Sequence, residues 1–128
     1  MQLEKLDIEG LNDVYALDVI RKEFSKAVSE CWKEEAPWQR YQKKLIQDLA
    51  VLDEEKEGAI DLPQYEKLSG EEGLYCIRHP ETKKNVRVIY TIVEGESIIL
   101  LTAFLEKNAG DYQKAIRLAR TRMKWLES

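Results

Sequence analysis

Histidine, cysteine and proline are scarce in this chain, and each scarcity removes a class of function. One histidine, His79, and two cysteines, Cys31 and Cys76, leave no zinc-ligand spacing. The cysteines fall inside a helical and a strand pattern, so buried thiols are expected rather than a bridge. No apolar run approaches the roughly 18 residues of a membrane span, so no membrane partner is expected. Met1-Gln2-Leu3-Glu4-Lys5 lacks the cationic start and apolar core of a signal peptide, and a cytoplasmic protein with reduced thiols is the expectation. There is no Gly-rich phosphate loop, no Gly-x-Ser-x-Gly elbow and no His–Cys or His–Ser arrangement, so no cofactor is implied. His79, just before Pro80, reads as a turn residue rather than a general base.

What remains is a mixed-charge chain of 128 residues, long enough to bury a core as one domain spanning 1–128. Its net charge of −4 is unevenly placed. Residues 1–59 carry 9 Lys/Arg against 14 Asp/Glu, and residues 60–128 carry 11 against 10. That balance is not that of a globally basic nucleic-acid binder, so any anion site has to be local.

The first ten residues alternate weakly (Leu3, Leu6, Ile8), and a short strand and an irregular lead-in both fit. From Leu11 to Trp32, apolar positions at Val14, Leu17, Ile20, Phe24, Ala27, Val28 and Cys31 recur at helical steps, with Asn12 or Asp13 as N-cap. Pro37 then suits the first turn of a second helix marked by Trp38, Tyr41, Leu45, Leu49 and Leu52. The short link between them predicts an antiparallel hairpin over 11–56, with Trp32 and Trp38 packing at the bend. Leu62–Leu68 reads as an extended connector.

Gly73–Lys107 holds three β-branched and aromatic runs separated by turn signals, the pattern of an antiparallel meander. Asn108–Asp111 is a turn with Asp111 as N-cap candidate, and Tyr112, Ala115, Ile116, Ala119, Met123 and Leu126 give a last helix over 112–127. The fold class is therefore α+β: an N-terminal helix hairpin on one face of a small antiparallel sheet, followed by a C-terminal helix.

Alternation places Val86, Val88, Tyr90 and Ile92 on the core face, and Arg87, Ile89, Thr91 and Val93 on the other. Cys76 and Arg78 share a side of the preceding strand. If Arg78 and Arg87 share the open face, two guanidiniums suited to phosphate or carboxylate stand together. Alternatively each pairs with a surface carboxylate such as Glu94 or Glu106. The unbroken run Ile98–Leu101 calls for cover on both faces, by a further element or a partner.

The ordered set Lys67-Leu68-Ser69-Gly70, Leu74–Arg78, Val86–Tyr90 and Ile99–Lys107 resembles the RelE/HigB toxin superfamily, and within it the phage-derived Gp49-like branch. The resemblance covers residues 62–126. It implies a RelE-like fold and the toxin of a type II toxin–antitoxin pair, an endoribonuclease cutting mRNA on the ribosome by attack of a ribose 2′-hydroxyl on the adjacent phosphate. It also admits a non-nucleolytic binding protein of the same fold, gyrase-poisoning or phage-derived. Such a nuclease needs cations for the phosphorane and a base for the hydroxyl, and no metal. Carried over by position, Arg87 is the phosphate-stabilising arginine and Arg78 a second cation. Lys107 is the basic residue after the last strand, and Tyr112 stacks on or hydrogen-bonds the nucleotide. Lys114, Arg117, Arg120 and Lys124 offer RNA-backbone contacts. The implied partners are a helix-turn-helix antitoxin and ribosome-bound mRNA. Two positions depart from the family pattern: Cys76 stands where active members carry lysine, and Glu106-Lys107 replaces Lys-Lys. The base is left unassigned, with His79 as an alternative.

Overall fold

A computed structural model describes residues 1–32, 34–78 and 85–128; His79 lies outside them. Its centre is a long hairpin, β5 (Asn85–Val93) with β6 (Ser97–Glu106). The turn between them is left-handed at Glu94 (φ 55°) and at Gly95 (φ 71°), the twist that a tight hairpin requires. β4 (Tyr75–Arg78) and then β3 (Tyr65–Lys67) extend the sheet antiparallel on the β5 side. On the β6 side, β2 (Val14–Leu17) runs parallel to β6, and β1 (Leu3–Lys5) pairs antiparallel at the rim. The order β1-β2-β6-β5-β4-β3 makes a six-stranded mixed sheet where a small antiparallel one was expected.

The helix expected from Leu11 is the main correction. Val14–Leu17 is a strand, and α1 spans only Ile20–Cys31. Val14 falls one helical turn before Leu17, which extends the apparent period, but the edge of β6 offers pairing to Val14, Tyr15 and Ala16. Asn12 and Asp13 are not caps. Their backbone N–H groups donate to the Asp53 carboxylate at 2.8 and 3.0 Å. Those bonds, with Lys56, hold the Asp53 pKa below the usual range despite the opposing effect of burial.

Beyond Leu100 the outer edge of β6 has no strand partner among the described residues, and α1 takes its place. Glu23 accepts from Ala103 N and Thr102 Oγ1, both at 3.3 Å. α2 (Trp38–Glu55) follows and ends in a 3₁₀ turn, Lys56–Asp61. Phe24 and Trp38 rings meet at 5.7 Å, and Trp32 Nε1 donates to Tyr41 Oη at 3.2 Å, so both tryptophans pack at the bend as expected. α3 (Ala109–Glu127) is capped by Asn108, with Asp111 returning the capping-box bond from the third position.

The helices do not share one sheet face. Tyr65 is in register with Ile77, and Ile77 with Val88; on that face Tyr65 Oη donates to the Asp48 carbonyl of α2 at 2.6 Å. On the opposite face α3 lays Tyr112 under Arg87. α3 is thus the cover that Ile98–Leu101 called for, and Ile98, Leu100 and Leu101 are fully buried. A bulge at Ile89/Tyr90 leaves Leu101 as the extra residue, and its carbonyl accepts from Arg122 of α3 at 2.7 Å. Among the described residues no helix is long and apolar enough to cross a membrane.

Candidate functional site

β4 and β5 pair Arg78 directly opposite Arg87, so both guanidiniums project from one face beside α3. Like charges in register repel, and each therefore needs a counter-charge. Arg87 Nε lies 2.6 Å from Glu106 Oε2 on the neighbouring strand, and Arg78 lies 3.5 Å from Glu66 while donating to the Pro63 carbonyl at 2.9 Å. Glu106 was one of the two carboxylates anticipated for this pairing. The aromatic floor comes from α3: the Arg87 guanidinium sits 5.1 Å from the Tyr112 ring centre, and Phe104 meets that ring edge-on.

Arg87 is only 8% exposed, yet its Nη1 has no hydrogen-bond partner among the described residues. A buried guanidinium left in that state is costly unless something else can complete it. It lines a cleft of about 450 Å³ together with Arg78, Lys44, Asn85, Gln64 and Pro63. The lining holds cations and amides and no carboxylate, which suits an oxyanion. Lys44 is held in place by Asp48 at 2.8 Å.

Behind the cleft, Cys76 is fully buried. Burial pushes its thiol up to about 11, although the neighbouring Tyr112 hydroxyl and Arg87 charge work the other way. Burial, with Cys76 and Glu66 nearby, also raises Tyr112, which stays a neutral phenol donating weakly to Glu66 at 3.4 Å. Cys76 is thus a packed, protonated thiol and no nucleophile.

Of the four residues named for chemistry, Arg78, Arg87 and Tyr112 come together. Lys107 does not join them: its Nζ points to Glu30 of α1 at 3.4 Å and lines the groove between α1 and α3. On α3, Lys114, Arg117 and Lys124 are exposed, whereas Arg120 is half-buried and tied to Glu71 at 2.8 Å. Sequence reasoning missed Glu66 and Lys44. Glu66 sits opposite Cys76 in register and was detectable had the Leu62–Leu68 connector been read as a strand. Lys44 arrives from a distant helix, and no local signal announces it. Among the described residues no group of His, Cys, Asp or Glu could hold a metal ion.

A family model described as phage derived protein Gp49-like (DUF891) matches residues 35–124. That span runs from α2 to α3 and contains the whole cleft, leaving out β1, β2 and α1. No curated protein and no solved structure shows significant similarity to the chain. By a match over most of its length, the chain belongs to the phage-derived Gp49-like family.

Proposed function

We propose that this protein is the toxin of a type II toxin–antitoxin pair, with a RelE/HigB-like fold, and that it cuts mRNA on the ribosome. One observation carries the reading: Arg87, nearly buried and stacked on Tyr112, with a buried Nη1 that has no hydrogen-bond partner among the described residues, lines a cleft of cations and amides. A phosphodiester entering the cleft would lie against Arg87, with Arg78 and Lys44 also lining it. Attack of the 2′-hydroxyl turns that phosphate into a doubly charged phosphorane. A fixed guanidinium in a water-poor site stabilises it more than the ground state. Tyr112 holds the guanidinium plane from below. The exposed Lys114, Arg117 and Lys124 of α3 would grip ribosomal RNA backbone, and the reading places the protein in the cytoplasm with a helix-turn-helix antitoxin as partner.

The pairing of Arg87 with Glu106 favours a second reading, a non-nucleolytic binding protein of the same fold, because the carboxylate offsets the cation. Expression in a bacterial host separates the two. The nuclease reading expects growth arrest with cut messages, relieved by Arg87→Ala at equal protein abundance. Arrest undiminished by that substitution would sink it.

A further inference from the structure

We infer that Glu106 is the proton acceptor for the attacking 2′-hydroxyl, an assignment that rests on the endoribonuclease reading. Its Oε2 lies 2.6 Å from Arg87 Nε, and its side chain is 23% exposed although Oε2 itself is buried. The exposure therefore lies on the rest of the side chain. Among the described residues, Arg87 is the only group that engages its carboxylate.

The other acceptors nearby are committed elsewhere. Glu66 takes Tyr112 on one oxygen and faces Arg78 with the other. The Asp111 carboxylate caps Lys107 N and Asn108 N. Cys76 is sealed under α3, and its thiol keeps its proton.

Placing the base beside the phosphate-binding arginine also resolves the apparent neutralisation of that arginine. As the 2′-oxygen bonds to phosphorus, its proton moves to the Glu106 carboxylate. The carboxylate loses its charge, its hold on the guanidinium weakens, and Arg87 is freed for the phosphorane as that charge grows. The bond from phosphorus to the 5′-oxygen then breaks, and a solvent water protonates the departing oxygen. The products are a 2′,3′-cyclic phosphate and a 5′-hydroxyl, with Glu106 returning its proton to solvent.

The test is single-turnover cleavage of ribosome-bound mRNA by the full-length protein and by Glu106→Gln and Glu106→Asp, followed across pH. Glu106→Gln is expected to cut about 10²–10⁴-fold more slowly and to lose the acidic limb of the rate profile. Glu106→Asp is expected to keep that limb at a reduced rate. A 2′-O-methyl message, which cannot be cut, should bind both variants at least as tightly as the parent, and more tightly to Glu106→Gln because Arg87 is then released, and so report an intact fold. A Glu106→Gln protein that cuts at close to the parent rate with its acidic limb intact overturns the assignment while leaving the nuclease reading standing. A parent protein that yields no cyclic-phosphate ends overturns both.

Discussion

Replacing Glu23 by alanine should cost this fold more than almost any other exposed-looking change. Glu23 of α1 takes Arg122 of α3 in a two-pronged pair, Nη1 at 2.8 Å and Nη2 at 2.9 Å. It also caps Thr102 and Ala103 on the strandless edge of β6. The Arg122 side chain is 11% exposed and that of Glu23 24%. Removing one member of such a pair leaves an uncompensated buried charge, at about 3–5 kcal/mol, and the residual exposure of Glu23 argues for the lower end. With a urea dependence of about 2 kcal/mol per molar, the unfolding midpoint should fall by about 1.5 M. Glu23→Met with Arg122→Met should recover part of the loss, because no charge is left stranded, while the Ala103 N–H still lacks its acceptor. Urea titration followed by tryptophan fluorescence measures Glu23→Ala, the double variant and its two single-methionine parents. A midpoint shift under about 0.3 M for Glu23→Ala, or a double variant equal to the sum of the singles, would refute the clamp.

Two further outcomes are expected of the fold. The Cys76 thiol titrates near 9.0 when free and near 11 when buried, so the unfolded chain loses its proton first as pH rises. Its contribution is intact below about pH 9 and declines toward pH 11, by up to about 3 kcal/mol; raised Tyr65, Tyr90 and Tyr112 act in the same direction. Urea midpoints should fall between about pH 9 and pH 11, and a flat profile would contradict the buried thiol. Separately, Asn108→Ala removes the α3 cap and should lower stability by about 1 kcal/mol, read as a thermal shift. No shift would mean the capping box does not hold in solution.

The meander and the last helix were legible in the sequence because their signals are local: alternation in β5, the Glu94-Gly95 turn and the apolar stripe of α3. Val14–Leu17 was not, since a four-residue strand is decided by the free edge of β6 some eighty residues later, and nothing in its own pattern excludes a helix. The site divides in the same way. The two-residue period put Cys76 and Arg78 on one side of their strand and Arg87 on the outer side of the next, but that Arg78 and Arg87 share a face follows from the register between the strands. That the face is covered, that Lys107 turns to Glu30, and that Lys44 joins the cleft all depend on how α1, α2 and α3 dock. The exchange of lysine for Glu106 looked from sequence like a loss of charge. In the structure it stands against Arg87, which is why it is the base proposed under the nuclease reading.

The central claim is that the Arg87 cleft acts on RNA. Purified protein incubated with a ribosome carrying a defined message, with the ends then mapped, tests it most directly. The account expects cuts within the ribosome-held codon ending in 2′,3′-cyclic phosphate, lost with Arg87→Ala and absent from the same message free in solution. A message left intact by the parent protein, or cut equally by Arg87→Ala, would contradict it.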